Sequence, residues 1–115
     1  MKQHIKLLSR LVEKATDIER KSPLDYTFKA NIGVDDITIN IRLSSDTSLV
    51  VLRHKFTMTI NNFSVNQFVV TADIIDALSA CFQKLYDKHF DETNQRMDNA
   101  YKLYDKAAEY FNIKL

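Results

Sequence analysis

The sequence predicts an α+β fold: an N-terminal helix, an antiparallel meander of three or four strands, and a long C-terminal helix or helix pair. Three observations carry that prediction. Apolar residues recur at three- and four-residue steps at the start of the chain, strict alternation follows from Tyr26 to Ile60, and neither Gly nor Pro occurs after Thr71. The first spacing is the 3.6-residue period of a helix with one buried stripe, and the second is the two-residue period of a half-buried strand. The predicted order is α-β-β-β-(β)-α(-α), one domain over residues 1–115, with the helices covering one face of the sheet.

Residues 2 to about 21 read as a helix. Ile5, Leu8, Leu11, Val12, Ala15 and Ile18 form one broad apolar stripe. Ser22-Pro23 ends it, because the residue before a proline is pushed out of the α region. Tyr26, Phe28, Ala30, Ile32 and Val34 then share one parity against Thr27, Lys29 and Asn31. A turn at Gly33-Val34-Asp35-Asp36 leads to Ile37, Ile39, Ile41 and Leu43, and Ser44-Ser45-Asp46-Thr47 is expected to turn the chain again. A third strand places Leu52, His54, Phe56, Met58 and Ile60 on one parity. Asn61-Asn62 closes it, a pair that tolerates the positive φ of a tight hairpin.

Residues 63–70 fit two descriptions. Ser64 with Gln67 resembles a capping box, whereas β-branched Val69-Val70 favours a short strand, with Thr71 and Asp73 starting the next helix. The strand is preferred. From about 72 to 112 the pattern is helical throughout, but in two phases. Ile75, Leu78, Phe82 and Leu85 make one stripe, and Met97, Tyr101, Tyr104, Ala108, Phe111 and Leu115 make another. The 26 residues from Ile75 to Tyr101 exceed three heptads by five, so one straight seam cannot hold both sets. Either the chain bends near 88–94, with Asp91 capping a second helix, or one long helix presents two stripes. The pentapeptide KLYDK occurs at 84–88 and again at 102–106, and is ascribed to local composition because its flanks do not align.

The element order overlaps that of double-stranded-RNA-binding domains. The basic, glycine-containing elements by which such domains grip phosphate are absent, so the overlap is one of topology alone.

Composition excludes more than it suggests. The 115 residues contain one Gly and one Pro. A dinucleotide-binding GxGxxG turn, a P-loop and a GxSxG nucleophile elbow each need at least two glycines, so none can be present. No apolar run is long enough to span a bilayer. Ser9, Arg10 and Glu13 interrupt any signal-peptide core, and the lone Cys81 suits a reducing compartment, so a cytoplasmic location is expected. His4, His54 and His89 lie on three elements, none within a helical turn of another His or Cys, so no local metal pair or cofactor site is expected. His54 reads as a hydrogen-bonded core or edge histidine and Cys81 as a small buried hydrophobe. Asp35-Asp36 and Asp91-Glu92 sit where turns and caps favour acids. No catalytic residues are expected.

Three surface features remain. Lys2, Lys6, Arg10 and Lys14 follow at four-residue steps, a basic ridge that works against its own helix through like-charge spacing and the helix dipole. Residues 1–22 carry six Lys/Arg against three Asp/Glu, whereas residues 71–115 carry six against eight. The solvent face of the sheet carries Lys29, Arg42, Arg53 and Lys55, but Tyr26, Phe28 and Phe56 have the opposite parity, so stacking groups for nucleic acid are missing from it. Finally, Met97, Tyr101, Tyr104, Ala108 and Phe111 form an aromatic stripe on a helix too long for a sheet of this size.

The expected function is therefore a non-enzymatic protein-binding module, homodimeric through a helical extension at 92–112. Small chains of this kind act as regulators, assembly factors, or inhibitors and immunity proteins, including those of phages and mobile elements. The alternative is a nucleic-acid binder using the basic ridge and sheet face. Membrane binding by the first helix is disfavoured because its stripe lacks aromatic anchors.

Overall fold

The computed structural model of the chain describes residues 2–46 and 53–115. The elements run α1 (Lys2–Glu13), β1 (Thr16–Ser22), β2 (Asp25–Ile32), β3 (Asp35–Asp46), β4 (Arg53–Ile60), β5 (Phe63–Val69) and α2 (Ala72–Tyr110). The five strands form one antiparallel sheet in the order β1-β2-β3-β4-β5, a simple meander. The predicted fold class holds, with a sheet one strand larger.

The additional strand is β1, and it corrects the expected extent of the first helix. That helix ends at Glu13, and 16–22 pair with β2 instead. Ile18 fitted the helical stripe and is instead fully buried from the strand. Asp17 has φ 49°, and the register shifts between Thr16 and Glu19, so β1 enters through a bulge that a helix could not accommodate. The turn expected at Ser44–Thr47 also lies further on. Ser44 and Ser45 still pair with Lys55 and His54 in the β3–β4 ladder. Leu52 and Thr47 fall outside the described residues.

The other turns form where their chemistry requires. Gly33 sits at φ +78° beside exposed Val34, and Asn61 and Asn62 at φ 50° and 73° make the two-residue β4–β5 connection. Positive φ at both central positions is what the twist of a hairpin selects. Asn61 also accepts the Thr38 N–H through Oδ1 at 3.0 Å, tying this turn to β3. Residues 63–69 are a strand, as preferred over the capping-box alternative, with Phe68 5.0 Å from Phe56 between ring centroids.

One face of the sheet is packed and the other is open, the usual state of an antiparallel sheet. Tyr26, Phe28, Ala30, Ile39, Ile41, Phe56 and Met58 project from the packed face toward Leu8, Leu11 and Val12 of α1 and toward Leu78, Cys81, Phe82 and Leu85 of α2. Each Leu, Ile, Val, Phe or Met side chain among them contributes about 1.5–3 kcal/mol on leaving water. Thr71 precedes α2 and donates its hydroxyl to the Asp73 carboxylate, which holds that carboxyl below its ordinary value.

α2 is a single helix of 39 residues, about 58 Å long at 1.5 Å per residue. Of the two alternatives, one long helix with two stripes is the one observed, and Asp91 lies inside it rather than capping a second helix. The last fully buried residue of α2 is Leu85, so the distal half overhangs the body. The radius of gyration is 18.6 Å, against about 13 Å for a compact chain of this length. Among the described residues, no helix is long and apolar enough to cross a membrane.

Candidate functional site

The middle of α2 grips the α1–β1 corner with polar side chains. Lys88 Nζ donates to the carbonyls of Val12 (3.0 Å), Glu13 (2.6 Å) and Ala15 (3.3 Å), gathering three acceptors where α1 gives way to β1. Burial pushes the Lys88 ammonium below its ordinary value, with neighbouring Lys84 adding to the effect. His89 Nδ1 donates to the Ile18 carbonyl at 3.0 Å. The Glu92 carboxylate accepts the N–H groups of Asp17 (2.9 Å) and Ile18 (3.3 Å), the two donors that the β1 bulge turns away from β2. Arg96 lies 3.7 Å from Glu92 and 4.0 Å from Asp17. These four residues occupy one face of the helix and give β1 hydrogen-bond partners on its outer edge.

Beyond Arg96, α2 runs free of the body, and the predicted stripe lies on it. Met97, Tyr101, Tyr104 and Phe111 are 51%, 66%, 61% and 67% exposed, while Ala108 is half-buried. Met97, Ala100, Tyr101 and Tyr104 line one apolar hollow along the helix. Tyr104, Ala108, Phe111, Ile113 and Leu115 line a second. The helix ends in a Schellman arrangement: Asn112 at φ 54° donates to the Glu109 carbonyl (3.1 Å), and Ile113 donates to that of Ala108 (2.9 Å). This folds Ile113 and Leu115 back beside Phe111, so Leu115 reaches the stripe through the cap.

Sequence reasoning missed how wide and how long this surface is. Leu103 and Tyr110 are also exposed, Tyr110 packing edge-on to Phe111 at 5.0 Å. Phe90 is 56% exposed seven residues before Met97. The seven-residue offset was visible in the sequence, but it ran through the segment where a bend was one of the two alternatives. With Met97 at position d of a heptad, every a, c, d and g position from residue 97 to 111 is apolar, and Asp98, Asn99, Lys102, Asp105, Lys106 and Glu109 fill the rest.

The basic ridge is only partly assembled. Lys2, Lys6 and Arg10 are exposed on α1, with Arg10 3.5 Å from Glu13, but Lys14 has left the helix and borders β1 and β2 near Asp17 and Lys29. The open sheet face carries exposed Lys29, Arg42 and Lys55. Arg53 pairs with Asp46 in the ladder, and its side chain falls outside the described residues. β1 adds Glu19 and Lys21 to this face, where they border a shallow hollow with Asp25 and Arg42. Asp17 lies 4.0 Å from Lys29. The face is thus mixed in sign rather than basic, and Tyr26, Phe28 and Phe56 are buried behind it, as their parity predicted.

The residues considered for catalysis lie apart. His54 Nδ1 is 3.3 Å from Ser45 Oγ on an exposed strand end, and buried Cys81 has Ser9 Oγ 3.6 Å from its sulfur. An apolar cleft between α2 and the β1–β2 hairpin is bordered by Tyr26, Phe82 and Tyr86, with the Arg20 guanidinium 5.2 Å above the Tyr86 ring. No cluster of three metal-ligating side chains occurs among the described residues. Compared with known proteins, the chain matches no family model, no curated protein and no solved structure.

Proposed function

We propose that the protein is a non-enzymatic binding module that acts through the distal half of α2, and that its first partner is a second copy of itself. One observation carries this reading: Met97, Tyr101, Tyr104 and Phe111 stay exposed along a helix that projects past its own core. Large aromatic anchors separated by alanines are the composition of a helix-packing surface, and a continuous apolar patch of this extent seldom stays wet. A role as a small regulator or neutralising inhibitor fits a binding module of this size. Sedimentation at micromolar concentration is expected to give a dimer, and Tyr104→Glu or Phe111→Asp a soluble, folded monomer. A monomeric wild-type protein would end this reading.

A nucleic-acid-binding role is the second reading, and it rests on the exposed run of Lys2, Lys6 and Arg10 on α1. It requires retardation of DNA or RNA at low salt that weakens steeply as salt rises. Lys2→Ala and Lys6→Ala should each reduce it without sequence preference. No retardation at low salt would dismiss it.

A further inference from the structure

We infer that two copies pair through α2 as a parallel, in-register, two-stranded coiled coil over residues 90–111, which sets both bodies side by side at one end. This rests on the self-association proposed above and adds its geometry.

The seam follows a strict heptad. Phe90, Met97, Tyr104 and Phe111 recur every seven residues and are all exposed on α2. Asn94, Tyr101 and Ala108 fall four residues after the first three of them. In heptad terms the first set holds d and the second holds a, the two positions that form a helix-pair seam. At 3.6 residues per turn, the seam lies about 105° round the helix from the core-facing Leu78, Phe82 and Leu85. A second helix laid on the seam therefore clears the first copy's body, which already occupies a different side of α2.

Charge selects the direction. The e positions flanking the seam are Asp91, Asp98 and Asp105, while the g positions are Thr93, Ala100 and Ala107. An antiparallel pair sets e against e, aspartate facing aspartate along the contact. A parallel pair sets e against the neutral g, and the repulsion is absent. Asn94 points the same way. In a parallel, in-register pair its amide meets its own counterpart across the two-fold axis, where donor and acceptor match. In an antiparallel pair it faces an apolar d residue with its amide unpaired. A single asparagine at an a position also favours two strands over three.

Cysteine cross-linking under mild oxidation tests the geometry, in a Cys81→Ala background that alone should not cross-link. Met97→Cys and Phe111→Cys, prepared separately, are each expected to form disulfide-linked homodimers. An antiparallel pair sets Met97 against Ala108, so cross-linking of Met97→Cys only on mixing with Ala108→Cys, with wild type still dimeric, would overturn the parallel arrangement and leave self-association standing. A monomeric wild type would remove both. A trimer or tetramer in sedimentation would overturn the two-stranded assignment. The exposed double variant Asp98→Asn/Asp105→Asn gives an independent readout. Its dimer affinity should stay within about twofold of wild type, whereas tightening of about fivefold or more would indicate the antiparallel arrangement.

Discussion

Glu92 is a charged side chain on the flank of a long helix, and its position suggests an ordinary solvated residue. Its carboxylate nevertheless accepts two backbone N–H groups that the β1 bulge leaves without a strand partner. Hydrogen bonds to a charged acceptor contribute about 1.5–3 kcal/mol, and orphaned donors add their own cost. Glu92→Ala should therefore lower stability by about 2 kcal/mol in urea denaturation, with Glu92→Gln losing less because one acceptor oxygen remains. None of this was legible in the sequence, because Asp17 and Ile18 lie 75 and 74 residues away. The same holds for Lys88 and His89. A local pattern carries no trace of a contact that only the packed fold creates. Titration at two residues separates in sign. Burial raises the Tyr26 phenol above its ordinary 10.0, against the weaker opposing pull of the Arg20 guanidinium. The folded chain holds that proton more tightly, so stability falls as pH rises above 10 through the folded value. Burial lowers Lys88, so the unfolded chain holds its proton more tightly below the ordinary 10.5, and that contribution rises with pH. Tyr26→Phe should flatten the loss of stability above about pH 10, and Lys88→Met should remove the opposing rise below about pH 10.5. A Tyr26→Phe protein that loses stability as steeply as wild type would contradict the assignment.

At the level of the elements, the two tight turns carry their conformations in their residues. Asn61 and Asn62 both have positive φ, and an Asn pair between two alternating segments is by itself a hairpin signal. Their side chains differ in use: Asn61 accepts the Thr38 N–H, whereas among the described residues the Asn62 side chain makes no hydrogen bond. Asn62→Gly should accordingly stabilise the protein by about 0.5 kcal/mol, since glycine enters this region without a Cβ penalty. Asn61→Gly should instead destabilise it, because the Thr38 donor loses its acceptor. Thermal unfolding of the two single variants checks both signs. The strands β2 to β5 were legible for a related reason: each has a packed and a wet face, so alternation records the sheet directly. β1 was not. Its seven residues, TDIERKS, include a single apolar side chain, and Ile18 satisfies a helical stripe as well as a strand. What makes this segment a strand is pairing with β2 on one edge and the polar side chains of α2 on the other. The distal stripe shows the converse. Its periodicity was plain in the sequence, but whether one helix or two carried it depended on 88–94, where Lys88, His89 and Glu92 prove to face the α1–β1 corner.

The whole molecule divides into a packed body and a projecting helix, and the division has a thermodynamic consequence. Among the described residues, every buried one lies at or before Leu85. Arg96 is the last side chain of α2 that ion-pairs with the body among those residues. Ending the chain after Arg96 thus removes no core contact and keeps the grip on β1. The shortened protein should fold, with a radius of gyration near 12 Å in small-angle scattering, against 18.6 Å for the full chain as a monomer. Its intrinsic stability should match that of the full-length monomer within about 0.5 kcal/mol, since exposed helix far from the core adds little. Association changes this only in the full chain. A partner that binds the folded form raises apparent stability by mass action, so the wild-type unfolding midpoint should climb with protein concentration. The shortened form should show no such climb, and neither should Tyr104→Glu. If the shortened protein unfolds at a concentration-dependent midpoint, the contact between copies lies on the body, and the open sheet face or the β5 edge becomes the surface to test next.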